Sequence, residues 1–161
     1  MTKRLLFLLF TLLLLTALRA KADDYVADSL HYDLNADNTA TVVADASYKN
    51  MTHVEVPERI NFHGLIFPVK GIGDSCFNNC MKLESVNLPN SVTCLEKGCF
   101  YNCTALTDVT IPSSVTSLTS FCFKGCTSLT SFNIPSSVTE LGMTIASRAA
   151  RAWQASSFRV L

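Results

Sequence analysis

Three consecutive stretches of equal length carry the same residue types at the same places. They run Ile72–Cys94 (IGDSCFNNCMKLESVNLPNSVTC), Leu95–Ser117 (LEKGCFYNCTALTDVTIPSSVTS) and Leu118–Glu140 (LTSFCFKGCTSLTSFNIPSSVTE). Ten columns agree, among them Ile72/Leu95/Leu118, Cys76/Cys99/Cys122, Phe77/Phe100/Phe123, Cys80/Cys103/Cys126, Leu83/Leu106/Leu129 and Pro89/Pro112/Pro135. A unit this short cannot enclose its own apolar face. Neighbouring units must stack to bury it, and the ends of the stack must be capped.

Within a unit, Leu106-Thr-Asp-Val-Thr-Ile111 has the L-x-x-L-x-L spacing of a leucine-rich repeat. Its last part alternates as a strand does, with Val109 and Ile111 inward and Asp108 and Thr110 outward. Pro112 lacks an N–H and ends the ladder, and Ser-Ser-Val-Thr turns the chain. The spacing of Cys99, Phe100 and Cys103 predicts a short helical turn with one buried side. Parallel, in-register strands are expected at Val86–Leu88, Val109–Ile111 and Phe132–Ile134.

Upstream, residues 23–71 read as an N-terminal β-rich cap. Leu30–Asn35 and Ala40–Ala44 flank the turn Ala36–Thr39, a hairpin signal. Ile60–Gly64 and Leu65–Val69 form a second such pair, and His53-Val-Glu-Val56 before Pro57 mimics the strand-then-proline of the repeats. Residues 1–22 read as a secretory signal: Lys3 and Arg4, an apolar run from Leu5 to Leu18 interrupted only by Thr11 and Thr16, then Ala20-Lys21-Ala22. That run is short for a membrane span, which needs about 20 residues. Taking the leader's four basic residues from the chain's thirteen leaves nine against thirteen acids, a mature charge of −4. Such a chain offers phosphate no electrostatic footprint, so nucleic acid is not an expected partner.

The recurring C-F-x-x-C-x-x-L-x-x-V-x-I-P-x-S-V resembles the BspA-like, or Treponema pallidum-type, leucine-rich repeat, over Ile72 to Gly142. That family's unit reads A-F-x-x-C-x-x-L-x-x-[VI]-x-[IL]-P-x-S-V-x-x-I-G. This chain departs from it at Cys76, Cys99 and Cys122, where alanine is commoner, and at Leu95-Glu96 and Leu118-Thr119 in place of I-G. The resemblance implies a leucine-rich-repeat solenoid, one short parallel strand and a short helical turn per unit, capped by an N-terminal β-hairpin segment. It also implies a bacterial protein that is secreted, at the cell surface or associated with the outer membrane. Adhesion and contact with host or neighbouring-cell surface proteins, matrix proteins or glycans follow from the same resemblance, and catalysis does not.

No G-x-S-x-G elbow, H-E-x-x-H, P-loop or dinucleotide fingerprint occurs, so no catalytic residue and no cofactor are assigned. Six of the seven cysteines form two columns at C-x3-C spacing and Cys94 stands alone. The spacing is not that of a zinc site, and His31, His53 and His63 all precede the array. Buried thiol ladders are the favoured reading, and one or more disulfides stay open. The acids Asp23, Asp24, Asp28, Asp33, Asp37 and Asp45 are spread along the N-terminal segment as a solvated face.

The candidate binding face is the outward side of the strand ladder: Glu84, Thr107 and Thr130; Ser85, Asp108 and Ser131; Asn87, Thr110 and Asn133. Together these readings describe an exported, non-enzymatic binding module with no membrane span after signal cleavage. The alternative is a passive structural repeat, or a truncated non-functional fragment of a longer surface protein.

A fourth unit begins at Leu141-Gly142, after which Met143–Leu161 (MTIASRAARAWQASSFRVL) keeps none of the columns. Read from the last base of the Met143 codon, degenerate codons permit D-Y-C-F-Q-G-C-T-S-L-A-S-F-K-L-P-S-S, with each column residue at its place. The tail 143–161 is therefore expected to be a frameshift product; the competing reading is a genuine arginine-bearing amphipathic helix. Sequencing the gene decides this: C-F-x-G-C should be encoded in the second frame after Gly142, and an early stop codon there would refute the shift.

Overall fold

The computed structural model describes residues 25–130 and 133–141. The leader and the tail 143–161 lie outside these residues, as do Ser131 and Phe132. Eleven short strands and one 3-10 helix make up the described chain: β1 (Tyr25–Ala27), β2 (Leu30–Leu34), β3 (Ala40–Val43), the helix Ala46–Asn50, β4 (His53–Glu55), β5 (Arg59–Phe62) and β6 (Leu65–Ile72). After these come β7 (Ser85–Asn87), β8 (Cys94–Leu95), β9 (Asp108–Thr110), β10 (Ser117–Leu118) and β11 (Glu140–Leu141).

The sequence period becomes a translation in space. β7 and β9 pair in parallel, Ser85 with Asp108, Val86 with Val109 and Asn87 with Thr110. Both strands begin and end one residue earlier than expected. Leu88 and Ile111 precede prolines, whose rings restrict the preceding residue and whose missing N–H ends the ladder. The third rung of this sheet comes from upstream, where His53, Val54 and Glu55 of β4 pair with Ser85, Val86 and Asn87. The strand expected at Phe132–Ile134 differs: Asn133 and Ile134 are not in a strand, and Phe132 lies outside the described residues.

A second ladder runs parallel to the first, beyond what the sequence pattern predicts. In it Ile72 pairs with Leu95, Leu95 with Leu118, and Leu118 with Leu141. Strands of two residues have no periodicity to read, so the sequence shows only an apolar column. Upstream this ladder continues through β3, where Val42 meets Ile72, then through the antiparallel β2 and β1. Both expected hairpins form: β2 with β3, and β5 with β6.

The helical turn expected at Cys99–Cys103 is absent and must be corrected. Successive N–H groups there alternate between two destinations. Ser75, Phe77 and Asn79 donate to the carbonyls of Lys97, Cys99 and Tyr101 in the next unit, at 2.9, 2.7 and 2.9 Å. The intervening Cys76, Asn78 and Cys80 donate three residues back, to Gly73, Ser75 and Phe77. Gly98, Phe100 and Asn102 repeat the pattern on Ser120, Cys122 and Lys124. A helix would claim all of these donors for itself. Positive φ angles at Ser75, Asn79, Gly98, Asn102, Phe121 and Gly125 break it in every unit. A side chain at Gly125 would also be crowded, with its Cβ 3.0 Å from Asn102 Cα.

The segment before the array carries the same rungs. Gly73 N–H donates to Val42 O as Glu96 does to Ile72 O and Thr119 to Leu95 O. Glu84 N–H donates to Thr52 O as Thr107 does to Glu84 O. The stretch of chain from His53 to its partner Ser85 is longer than that from Ser85 to Asp108, and the β5–β6 hairpin takes up the excess.

The core is a set of such columns. Phe77, Phe100 and Phe123 lie fully buried in a stack with ring centroids 5.3 Å apart and planes within 7° and 6° of parallel. Tyr48, on the 3-10 helix, tops the stack at 5.2 Å from Phe77, and its hydroxyl accepts from His31 N–H at 2.6 Å. Asp45 caps that helix by accepting from Ser47 N–H, and the Ser47 side chain, ahead of that N–H, holds its carboxyl below the usual carboxylate range. Six cysteines are buried beside the rings and Cys94 is half-buried. Cys99 and Cys122 sulfurs touch at 3.0 Å, and the Cys103 and Cys126 thiols donate to the carbonyls of Phe77 and Phe100.

Phe100→Ala should destabilise the chain by ~3–5 kcal/mol, since it opens a cavity between two stacked rings. Urea unfolding of wild type and variant measures this; a loss below ~1 kcal/mol would show that the column is not core.

Candidate binding face

The exposed side of the β4–β7–β9 sheet gathers most of the predicted face. Ser85 sits beside Asp108 and Asn87 beside Thr110 because register pairs them. Glu84 and Thr107 meet just before the strands, where Thr107 donates to Glu84 O from both its N–H (2.9 Å) and its hydroxyl (3.2 Å). Thr130 and Asn133 are exposed but lie outside the strands, and Ser131 is outside the described residues. The alternation that points these side chains outward sends Val54, Val86 and Val109 into the core.

Sequence reasoning missed the first rung of this face: Thr52, His53 and Glu55. All three are exposed, and they stand in register with Glu84, Ser85 and Asn87. The strand-then-proline pattern at His53–Pro57 was the signal available for finding them.

Contacts across the rungs order the surface. His53 Nδ1 lies 2.8 Å from Ser85 Oγ, and Asn87 Nδ2 donates to Glu55 Oε1 at 2.8 Å. His53 Nε2 stands 4.0 Å from Glu84 Oε2. A histidine between a hydroxyl and a carboxylate invites comparison with a nucleophile–base–acid set. Here both the ring and the carboxylate are more than half exposed, at 67% and 58%, so water screens the pair. A shallow depression of about 300 Å³ lies among His53, Glu55, Ser85, Asn87, Asp108 and Thr110. That is the small end of ligand-pocket size, and its lining is polar. Such a surface suits contact with another surface.

Away from this face, Asp37 and Asp45 serve local structure. Asp37 accepts from the Thr39 hydroxyl and N–H, and the hydroxyl bond holds its carboxyl low. Among the described residues, no three His, Cys, Asp or Glu side chains come together as a metal site. Among them, too, no helix is long and apolar enough to cross a membrane.

Stacked short strands on an apolar core, with one helix among the described elements, define a leucine-rich-repeat type of fold. Solved structures agree. A leucine-rich repeat protein from Bacteroides capillosus superposes with TM-score 0.68 at 25% identity, covering 74% of this chain and 87% of that one. The Treponema pallidum leucine rich repeat protein gives 0.67 at 24%, covering 76% and 55%. A leucine-rich repeat protein from Bacteroides ovatus gives 0.66 at 24%, covering 74% of this chain and 32% of that one. The chain thus matches about a third of the B. ovatus protein's length. The family model "BspA type Leucine rich repeat region (6 copies)" matches residues 46–148, more than half of the chain, and the chain belongs to that family. No curated protein matches it.

The buried thiols set a pH limit. Burial pushes the Cys76 and Cys99 thiols well above their ordinary value and Cys80 up to about 11 from 9.0. Tyr48 is raised as well, again chiefly by burial. A folded-state pKa above the unfolded one contributes stability that is fully present below the unfolded value and lost as pH rises toward the folded one. Urea-unfolding stability should therefore show no loss from these groups between about pH 6 and 8 and fall from about pH 9 toward 11. A flat profile to about pH 11 would mean that these groups ionise in the folded chain as readily as in the unfolded one.

Proposed function

We propose that this chain is a non-enzymatic binding module of an exported bacterial protein, making protein–protein or adhesion contacts at the cell surface. The observation that carries this reading is the outward face of β4, β7 and β9: three in-register rungs of polar side chains on one sheet. Rigid rungs lose little conformational entropy on binding, which is what makes a repeat surface useful for recognition. On this reading the units form a solenoid, and the β1–β2–β3 strands cap its first end. The division into leader (1–22), N-terminal segment (23–71), repeats (72–142) and tail is part of the same proposal. Partners are host or neighbouring-cell surface proteins, matrix proteins or glycans, and the protein is secreted or held at the surface.

The alternative, a passive structural repeat or a fragment of a longer surface protein, draws support from one observation. No aromatic side chain anchors the described part of this face, and aromatic anchors carry much of the energy in strong interfaces.

A binding screen of the purified full chain against matrix proteins and glycans separates the two. Retention of a partner that falls at least tenfold in the Asp108→Lys, Thr110→Lys double variant would support the module. Both positions are exposed, so folding stability should change by less than about 0.5 kcal/mol. Uniform failure of well-folded wild-type chain to bind would favour the passive repeat.

A further inference from the structure

The two ladders do not end together. One begins β1-β2-β3 and the other begins at β4, although β3 and β4 belong to the same turn of the chain. Two extra strands therefore extend one wall of the core past the other. Adjacent strands lie about 4.8 Å apart, so the step is roughly 10 Å deep. A groove of about 600 Å³ fills this step, with Asp28, Ser29 and Leu30 of the β1–β2 turn on one side and the run Asn50–Glu55 on the other.

The wall formed by β4 is a sheet edge. Thr52 O accepts from Glu84 and Ser85 N–H groups, and Val56 N–H donates to Asn87 O, so the even-numbered peptide groups face β7. Peptide groups alternate in direction along a strand, so those of His53 and Glu55 face the groove. Among the described residues no strand pairs with them there. Unpaired N–H and C=O groups on an edge form a template for one more strand. Asp28 and Glu55 are the two formally charged side chains lining the groove, both acidic, and no cation among the described residues neutralises either.

We propose that the stepped N-terminal end receives an extended segment of a partner protein as an added strand on β4, selected for lysine or arginine by Asp28 and Glu55. Main-chain hydrogen bonds to His53 and Glu55 would hold the segment, and its alternate side chains would meet the two carboxylates. This site goes beyond the outward face proposed above: it uses the sheet edge at His53 and Glu55, the first rung of that face, while Asp108 and Thr110 take no part.

The probe is a fluorescein-labelled heptapeptide, KTVKVTK, titrated into the full chain and followed by anisotropy. Its acidic counterpart ETVEVTE and a copy N-methylated at alternate residues serve as comparisons. The basic peptide should bind at least tenfold tighter than either. Glu55→Pro should weaken it at least tenfold, because proline removes both the outward N–H and the selecting carboxylate while leaving the backbone bonds to β7. The Asp108→Lys, Thr110→Lys variant should keep binding within about threefold, which separates this edge from the outward face. The N-methylated peptide makes the same test without altering the protein, should Glu55→Pro fold poorly. Four results would overturn the proposal. One is no binding by KTVKVTK up to 1 mM. Another is equal binding of the N-methylated and unmethylated peptides. A third is slow hydrogen exchange at the His53 and Glu55 amides of the unliganded monomer, which would show the chain's own residues in the groove. The last is self-association abolished by Glu55→Pro, which would make a second copy the occupant.

Discussion

Each unit lends part of its backbone to the next, and everything else in this molecule rests on that exchange. At the Cys-Phe turns every second N–H crosses to a carbonyl one period away, and the two strand ladders do the same on the other sides. A peptide group buried without a partner is costly, so a unit that satisfies its groups only through neighbours is specified by them. The crossing bonds also force equivalent residues into register. Register then stacks phenylalanine on phenylalanine and cysteine against cysteine. The near-parallel rings are a consequence of the backbone translation as well as of any preference between rings.

The same constraint explains how a divergent segment joins the array. Residues 40–56 share little of the repeat sequence, yet they place Val42 in one apolar column, Tyr48 over the phenylalanine stack and Val54 in another column. What the next unit requires of its neighbour is carbonyls and apolar side chains at set positions. Thr52 and Val42 supply the carbonyls. Between these rungs the chain is free to vary, and it uses that freedom for the β5–β6 hairpin. A polar tyrosine is tolerated at the head of the stack because its hydroxyl reaches the His31 amide.

The surfaces this fold exposes follow from where the translation stops. Along the β4–β7–β9 sheet the strand face offers rungs of polar side chains, ordered by bonds such as Asn87 to Glu55. At the first end the two ladders are cut at different levels, which leaves an edge and a groove. A repeat array thus carries two kinds of surface: one multiplied by the period, and one that exists only where the period begins.

The sequence by itself determined the period, the core columns and the outward polar columns, because side-chain type alternates with the inside and outside of a strand. Leu83, Val86 and Val92 were legible as core and Ser85, Asp108 and Thr110 as face without any coordinates. The prolines marked the strand ends to within one residue. Backbone hydrogen bonds across units were not legible, since they are made by peptide groups common to all residues. For that reason the Cys-Phe segment read as helical, although the Asn79/Asn102/Gly125 column already favoured the left-handed φ that breaks a helix. Only the tertiary structure decided that His53 and Glu55 join the face, since their distance along the chain from Ser85 and Asn87 departs from the period and register is set by pairing in space.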